Sequence, residues 1–436
     1  MKIMFHKKLV MMMTVFILFC SVFVIHGDIS AETNSALHIE AGAAILVEEK
    51  SGKILYEKNA NQLLAIASMT KMMSEYLVHE AVNQGKLKWD QKVKVSDYAY
   101  EISQDLTLSN VPLEKGAFNT VKELYEAMAI SSANGATIAL AEAVAGKEAN
   151  FVKMMNDKAK ELGLKNYKFV NSTGLTNKDL KGKQPEGTTP EEENKMSARD
   201  CAMLAQRLIQ DFPKVLDTAK VPKKTSKEGE RYSIEMENTN WMLKGFHMYY
   251  EGVDGLKTGW TPEAGHCFTS TAERNGIRFI SVVINTNSHK ARFTETKKLL
   301  DYGFTNFEMQ KLYAKGSVVK GHETVQVNNA KDKGVTVQTQ QDVTLPVLKG
   351  DNKFYKIEYK DVKKEKEAPI KKGITLSKMI ISSKYNTDPG FLSGESLQVN
   401  LVTKSEVEKI NGFSYLIRCI GSFFLGYMKF FLLIVE

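Results

Sequence analysis

The sequence predicts an α+β fold, followed by a small all-β sandwich domain and a C-terminal amphipathic helix. Apolar residues recur at three- and four-residue spacing after Ser68, and a second helical pattern runs from Ala136 to Ala145. The Asn275-Gly276 pair between two apolar stretches predicts a β-hairpin. From Leu312 to Val402, short alternating segments are separated by turn residues, as in a β-sandwich. A chain of 436 residues is long enough for two such domains.

The N-terminus has the pattern of a secretory signal. Lys2, Lys7 and Lys8 precede an apolar run from Leu9 to Ile25, and the small pair Ser30-Ala31 follows. We predict that residues 1–31 are a signal peptide, that cleavage follows Ala31, and that the rest of the chain is exported. An uncleaved anchor is the alternative, because the apolar run is close to the shortest length that spans a bilayer.

The first motif, Ser68-Met69-Thr70-Lys71, opens a helical pattern that ends near Gly85. Residues three apart on a helix lie on one face, so the Lys71 amine is expected one turn from the Ser68 hydroxyl group. A serine placed beside an amine that can take its proton is a nucleophile with its base. Ser317-Val318-Val319-Lys320 repeats the spacing, but its alternating, β-branched pattern predicts a strand, so we interpret this copy as chance.

The second motif, Ser132-Ala133-Asn134, lies between a helical pattern that ends near Ile130 and the helix that begins at Ala136. Turns of this kind present polar side chains to a cleft.

The third motif, Lys257-Thr258-Gly259, lies on a predicted strand, Gly255–Thr261, just before the hairpin. We expect Lys257 to project into the cleft and Gly259 to allow a ligand backbone to approach closely.

These three motifs, in this order, resemble the set found in class A β-lactamases and penicillin-binding proteins. The chain resembles the low-molecular-mass penicillin-binding proteins, which are serine-type D-alanyl-D-alanine carboxypeptidases of the penicillin-binding protein 5 type. The likeness runs from Ala43 to about Tyr302 and continues into the downstream β domain and the tail. It implies a catalytic domain at 32–308 with an antiparallel sheet between helical layers. It also implies a peptidoglycan stem peptide ending in D-Ala-D-Ala as substrate, β-lactams as inhibitors, and no cofactor.

The resemblance assigns the catalytic roles to the first two motifs. Ser68 would attack the carbonyl carbon of the penultimate D-alanine and form an acyl-enzyme that water hydrolyses. Lys71 must be neutral to act as the base, and burial together with the charge of Lys257 would lower its pKa. Ser132 would relay a proton to the leaving amine, and Asn134 would hold the peptide amide.

The resemblance assigns substrate binding mainly to the third motif. The backbone N–H groups of Ser68 and Trp260 would form the oxyanion hole, and Gly259 would let the substrate backbone approach without meeting a side chain. Thr258 and Arg292 would bind the terminal carboxylate, since a guanidinium group suits a planar anion. A structural arginine at the surface is the alternative for Arg292.

Two other functions compete with this interpretation. A β-lactamase needs an additional glutamate that activates the deacylating water, and the nearest match, Glu161, is expected to be a solvent-facing helix residue. A membrane-tethered peptidoglycan or β-lactam sensor would be acylated on Ser68 without turnover. The Ser68 and Lys71 pair argues against the sensor, because pure binding does not need Lys71.

The C-terminal part of the chain is predicted to form a β-sandwich domain at 309–403 and a membrane-anchoring amphipathic helix at 404–436. The β domain contains no further nucleophile and base pair, so we expect it to be a stalk or a partner surface. The tail has an apolar stripe and a polar side, which is typical of a helix that lies in a membrane interface; the stripe contains Phe413, Leu416, Ile417, Ile420, Phe424, Tyr427 and Phe431. A short transmembrane span and a helix packed on the β domain are the alternatives. The anchor would hold the enzyme at the outer face of the bacterial cytoplasmic membrane.

Composition limits the partners. The formal net charge is +8, and removal of residues 1–31 leaves +6, which suits an anionic wall and membrane. Export makes nucleic acid an unexpected partner. We expect Cys201 and Cys267 to be unpaired core residues rather than a disulfide. The 8 histidines have no metal-binding spacing, so no metal site is predicted.

Overall fold

The computed structural model describes residues 37–226, 233–332, 334–351, 353–362, 366–418 and 420–421. The predicted signal peptide, residues 1–31, lies outside these ranges. So does the part of the predicted tail helix that follows residue 421.

Helices and strands alternate irregularly in the first 300 residues, and strands dominate afterwards. The helices are α1 (Lys71–Asn83), α2 (Asp97–Ser103), α3 (Val121–Ser131), α4 (Asn134–Ala145), α5 (Glu148–Glu161), α6 (Ala198–Asp211), α7 (Val215–Ala219) and α8 (Ala291–Asn306). The strands are β1 (Ala43–Glu48), β2 (Ile54–Lys58), β3 (Leu64–Ala65), β4 (Lys92–Lys94), β5 (Phe118–Thr120), β6 (Tyr167–Lys168), β7 (Lys195–Met196), β8 (Lys223–Ser226), β9 (Ile234–Glu237), β10 (Val253–Thr261), β11 (Gly265–Arg274), β12 (Ile277–Thr286), β13 (Phe307–Tyr313), β14 (Thr324–Gln326), β15 (Gly334–Thr339), β16 (Val343–Leu348), β17 (Tyr355–Asp361), β18 (Thr375–Ser383) and β19 (Leu397–Thr403).

A five-stranded antiparallel sheet, in the order β10-β11-β12-β1-β2, forms the centre of the first region. The predicted hairpin is confirmed, because β11 and β12 are joined by Asn275 and Gly276. Both residues have positive φ angles, of 51° and 76°, which is the conformation that favours Asn-Gly in a two-residue turn. The hairpin places β10, which carries the third motif, at one edge of the sheet.

Helices cover both faces of this sheet, because alternate strand residues point to opposite sides. On one side, Phe268 and Phe279 contact the rings of Phe293 and Phe304 in α8. On the other side, alternate residues such as Ile280 join a core that includes α1 and α6. The predicted antiparallel sheet between helical layers is confirmed.

The helices around the second motif are also where the sequence predicted them. A second apolar core joins α2, α3 and α4 and includes Ile102, Met128 and Ile138. The turn between α3 and α4 contains Ser132 in the left-handed conformation, with a φ of 57°. This residue reverses the chain and brings the start of α4, at Asn134, toward α1.

The C-terminal region forms two antiparallel sheets, β14-β15-β19-β18-β17 and β13-β16, with one shared apolar core. The predicted all-β sandwich is confirmed. The Ser317–Lys320 copy of the first motif lies in a loop between β13 and β14, so the predicted strand there is wrong. It is not helical either, and the spacing that pairs serine with lysine on a helix does not apply.

A buried lysine joins the β domain to the central sheet. Lys53 Nζ lies 2.5 Å from the Asp388 carboxylate, and it donates to the carbonyl oxygens of Ile54 and Gly390. The two charged side chains are only 1% and 7% exposed. The β domain is therefore attached to the β1-β2 edge through a desolvated ion pair.

Residues 404–411 of the predicted tail helix are not helical, because Val407 and Lys409 form isolated β-bridges with Ile370 and Ala330. The described helix covers residues 412–418. Arg418 donates to the carbonyl oxygens of Ala330 and Lys331, so the helix touches the β domain through this side chain. Its apolar residues face solvent, since Phe413 is 75% exposed and Ile417 is 56% exposed. Among the residues that the structure describes, no helix has the length and apolar character needed to cross a membrane.

Candidate active site

Ser68 lies in a single turn of 3₁₀ helix, Ala67–Thr70, that leads directly into α1. The preceding residue, Ala67, has a φ of 47°, a conformation that L-residues rarely adopt. Two glycines pack against this strained backbone. A Cβ atom at Gly174 would lie 2.0 Å from the carbonyl oxygen of Ala67, and one at Gly259 would lie 2.6 Å from that of Ile66. The expected reason for Gly259 was a ligand's approach, whereas the close contact is with the chain's own backbone.

Lys71 is completely buried and contacts three oxygen atoms. Its Nζ atom lies 3.0 Å from Ser68 Oγ, 2.7 Å from Asn134 Oδ1 and 2.7 Å from the carbonyl oxygen of Thr173. The first two contacts join the first motif to the second. The third brings in a loop that lies about a hundred residues away along the chain.

Two buried lysines and one buried carboxylate share the interior beneath Ser68. Burial, and then the charge of Lys257, lowers the pKa of Lys71 well below its usual range, while Glu75 acts in the opposite direction. Burial also lowers the pKa of Lys257, against the charge of Glu75. Burial raises the pKa of Glu75, against the charge of Lys257 and a hydrogen bond from Tyr125 Oη at 3.2 Å. The environment therefore favours a neutral Lys71.

Asn134 is fixed by both ends of its amide group. Its Oδ1 accepts from Lys71, and its Nδ2 donates to the carbonyl oxygen of Ser109 at 2.9 Å. Ser132 is only 2% exposed, and its Oγ has no hydrogen-bond partner within the described part of the chain. A buried hydroxyl group without a partner is costly, so Ser132 Oγ is available to a ligand or a water molecule.

β10 carries the third motif along the edge of the site. Lys257 is 1% exposed and donates to the carbonyl oxygen of Thr258 at 3.1 Å. Thr258 Oγ1 lies 2.6 Å from Thr239 Oγ1. Trp260 follows with its side chain 57% exposed at the rim.

Arg292 lies in the first turn of α8 and is only 3% exposed, which argues against the alternative of a surface arginine. Its Nη1 donates to the carbonyl oxygen of Gly259 at 3.2 Å, and its Nη2 lies 2.5 Å from His289 Nε2. Burial lowers the pKa of the guanidinium group to about 10, so it is a cation at neutral pH.

The three motifs meet around one cleft of about 400 Å³. Seven of the nine sequence-predicted site residues line it: Ser68, Ser132, Asn134, Thr258, Gly259, Trp260 and Arg292. The other two, Lys71 and Lys257, are buried at 0% and 1% exposure. The cleft presents a hydroxyl nucleophile beside a buried amine, together with a buried guanidinium group that can hold an anion.

Four residues of this site were not predicted from the sequence: Glu75, Thr173, Thr239 and His289. Only Glu75 had a signal, because it lies one helical turn after Lys71 and shares its face of α1. The other three come from loops, where residue spacing does not indicate which side chains meet.

Residues considered for other roles lie elsewhere. Glu161 ends α5, is 67% exposed and pairs with Lys158 at 2.6 Å, as expected of a solvent-facing residue. Cys201 and Cys267 are buried and unpaired. Within the described ranges, no group of three His, Cys, Asp or Glu side chains could hold a metal ion.

Comparisons with known proteins match both the region that contains the cleft and the C-terminal β domain. The sequence model of a family described as D-alanyl-D-alanine carboxypeptidase matches residues 30–288, and that of the penicillin-binding protein 5 C-terminal domain matches residues 307–409. The chain is 36% identical over 394 residues to D-alanyl-D-alanine carboxypeptidase DacF of Bacillus subtilis, covering 89% of this chain and 91% of that protein.

Solved structures are similar over the same regions. A peptidoglycan synthesis regulatory factor (PBP3) from Streptococcus pneumoniae has a TM-score of 0.74 and 36% identity, over 85% of this chain and 100% of that chain. Penicillin-binding protein D2 from Listeria monocytogenes in its ampicillin-bound form has a TM-score of 0.51 and 35% identity, over 62% of this chain and 98% of that chain.

Proposed function

Because the chain belongs to the D-alanyl-D-alanine carboxypeptidase family of serine-type hydrolases, we propose that it removes the terminal D-alanine from peptidoglycan stem pentapeptides. Ser68 Oγ forms a bond to the carbonyl carbon of the penultimate D-alanine, and the C–N bond to the terminal D-alanine breaks. The leaving amine takes a proton, and water then hydrolyses the ester on Ser68. Loss of the terminal residue limits the cross-linking of the wall.

The observation that carries this proposal is the set of three contacts around Lys71. A neutral amine has two N–H donors and one lone pair. Asn134 Oδ1 and the carbonyl oxygen of Thr173 can only accept, so they use the two donors. The lone pair is then left for the Ser68 hydroxyl group at 3.0 Å. The buried lysine thus has the geometry and the lowered pKa of a general base.

The remaining roles follow from the walls of the cleft. Ser132, whose buried hydroxyl group has no hydrogen-bond partner in the described part of the chain, passes the proton from Lys71 to the leaving amine. Asn134 holds the peptide amide, and the backbone N–H groups of Ser68 and Trp260 stabilise the oxyanion. The close packing of Gly259 against the backbone at Ser68 supports this pairing, since it brings β10 beside the nucleophile.

The terminal carboxylate of the substrate binds at the opposite end, between Thr258 and Arg292. Both line the cleft with Ser68, and Arg292 is a buried cation. Lys257, which lies beneath this wall, adds positive charge. A β-lactam carries a carboxylate and a strained amide, so it acylates Ser68 by the same route.

The chain is exported by residues 1–31, and the catalytic domain, residues 32–308, faces the wall. The β domain, residues 309–403, spaces it from the cytoplasmic membrane. The tail, residues 404–436, anchors the enzyme to the outer face of that membrane through the helix that begins at residue 412. The exposed apolar side chains of the described first turns support this; they are Phe413, Tyr415, Leu416, Ile417 and Ile420.

The test is the release of free D-alanine from a peptide ending in Lys-D-Ala-D-Ala by the purified full chain, with and without benzylpenicillin. Penicillin-sensitive release is expected. Ser68→Ala should abolish both release and covalent penicillin labelling, whereas Ser317→Ala, in the second copy of the motif, should change neither. Labelling that survives Ser68→Ala contradicts the assignment of the nucleophile. Stable labelling of the wild type without D-alanine release would favour the sensor function instead.

A further inference from the structure

The contact between Arg292 and His289 fixes a protonation state. A guanidinium group donates hydrogen bonds and cannot accept them. Because Arg292 Nη2 lies 2.5 Å from His289 Nε2, this imidazole nitrogen must be the acceptor. His289 is therefore neutral, with its proton on Nδ1.

The surroundings hold the ring of His289 in one place. The Trp241 ring centroid lies 3.9 Å away, and that of Phe293 lies 5.5 Å away. His289 and Trp241 both line the cleft that contains Ser68. A ring packed on two sides has little rotational freedom, so it offers a fixed acceptor to the guanidinium group.

Arg292 has an unused binding capacity. Within the described ranges, no carboxylate is among the groups that shift the pKa of Arg292, and its buried Nε atom has no hydrogen-bond partner. The carbonyl oxygen of Gly259 and Nε2 of His289 are both neutral acceptors. They therefore orient the guanidinium group without neutralising its charge. A buried cation of this kind is stabilised when an anion enters the cleft.

We infer that His289 is a positioning residue that holds Arg292 in the orientation needed to bind the terminal carboxylate of the substrate. This inference rests on the proposed carboxylate-binding role of Arg292. Arg292 donates one N–H of Nη1 to Gly259 and one N–H of Nη2 to His289, and its other N–H groups remain for the anion. The neutral imidazole is required, because a protonated ring has no lone pair to offer and repels the guanidinium group.

The same contact makes carboxylate binding sensitive to acid. Burial, then the charges of Arg292, His266 and His247, lower the pKa of His289 to about 4. These three are the titratable groups that act on the ring, and each one disfavours its protonation. His289 therefore accepts from Arg292 at neutral pH, and the contact is lost only as the pH falls toward about 4.

The experiment compares two variants, His289→Phe and His289→Gln, on paired peptides that end in a free D-alanine or in D-alaninamide. Phenylalanine keeps a planar ring but cannot accept, and glutamine restores an acceptor. At neutral pH, His289→Phe should raise KM for the free-acid peptide about tenfold, the usual effect of losing one charge-assisted hydrogen bond, with a smaller change in kcat. The amidated peptide should be unaffected. His289→Gln should keep the wild-type preference.

His247→Gln is the matched control, since His247 contacts the same Trp241 ring at 4.6 Å and is exposed. It should leave the preference between the two peptides unchanged. If folded His289→Phe keeps the wild-type preference, the inference is overturned. If His289→Phe does not fold, His289→Ala takes its place, and a wild-type preference in that folded variant overturns the inference. If Arg292→Ala raises KM equally for both peptides, Arg292 does not bind the terminal carboxylate. That result contradicts the proposed function and is distinct from the outcome for His289.

Discussion

Replacing Glu75 with glutamine should move the pH optimum of the enzyme toward acid. The Glu75 carboxylate raises the pKa values of Lys71 and Lys257, so its removal lowers both. Activity needs a neutral Lys71 and a charged Lys257. The alkaline limb of the pH profile follows Lys257 and should move to lower pH. The acid limb follows Lys71 and should move less, because burial raises the pKa of Glu75 itself to about 7 and the carboxyl group is protonated below that pH.

The size of the shift follows from the geometry of α1. Glu75 lies four residues after Lys71, a spacing that places Cβ atoms about 6 Å apart on one helix face. At an effective dielectric constant of about 20, two unit charges about 6 Å apart interact by about 2.8 kcal/mol. At 1.36 kcal/mol for each pH unit, this corresponds to about two pH units, which we take as the upper limit. Because the charged groups extend beyond Cβ, we expect the alkaline limb to move by about one to two pH units.

The assay is the second-order rate constant for benzylpenicillin acylation of Ser68, measured from pH 5 to pH 10. Acylation isolates the first step, in which Lys71 takes the proton. Glu161→Gln is the matched control, because it removes an exposed carboxylate from α5, and its profile should overlay the wild type. Tyr125→Phe removes the hydrogen bond to Glu75 and should change the profile less than Glu75→Gln does.

One result would refute this reasoning. If the folded Glu75→Gln variant acylates with the wild-type pH profile, then the carboxylate does not set the charge balance between the two lysines. If the acylation rate constant falls at every pH and neither limb of the profile moves, Glu75 acts through packing instead.

Three further predictions concern stability. Gly174→Ala should abolish penicillin labelling and lower the melting temperature, because φ is +85° and the added Cβ would lie 2.0 Å from a backbone carbonyl oxygen. Gly163→Ala is the control, since its φ is +82° but nothing lies within 4 Å of the added Cβ. It should lower the free energy of unfolding by only about 1–2 kcal/mol and keep labelling. Asp388→Asn should lower the free energy of unfolding by about 3–5 kcal/mol in urea, because it leaves the buried Lys53 unpaired; a change below 1 kcal/mol would contradict this. The folded pKa of His79 is lowered to about 4 by burial, so the unfolded chain takes up a proton first as the pH falls below 6.5, and the free energy of unfolding drops over this window. His79→Phe should reduce the loss of stability between pH 7 and pH 4.5 by about 2 kcal/mol, and an unchanged loss would be inconsistent with this assignment.

Local patterns predicted the elements that carry the motifs. The helix after Ser68, the strand around Lys257 and the Asn275-Gly276 hairpin are all present, because each depends on residue spacing or on turn chemistry within a few positions. Periodicity failed at Ser317, where a β-branched stretch forms a loop. The pattern there records apolar burial, since Val319 is 1% exposed, without strand pairing.

The contacts between remote segments could not be predicted from spacing. The carbonyl oxygen of Thr173 reaches Lys71, and His289 reaches Arg292, only after the sheet and helices have packed. Gly259 shows the same limit in another way: the sequence predicted the approach of a ligand backbone, but it could not predict which segment of the chain packs there. The answer, the backbone before Ser68, is a property of the packed fold.

The chemistry of Lys71 depends on this packing more than on its motif. An exposed lysine three residues after a serine would be protonated at neutral pH and could not take the hydroxyl proton. Lys71 can do so because three distant segments, which carry Asn134, Thr173 and Lys257, surround it and exclude water. Glu75 opposes this effect at both lysines; the pKa of Lys71 is lowered well below its usual range, and that of Lys257 is lowered to about 7. The two lysines can then have different charges in one buried site, and this difference allows one to act as the base and the other to attract the substrate's anion.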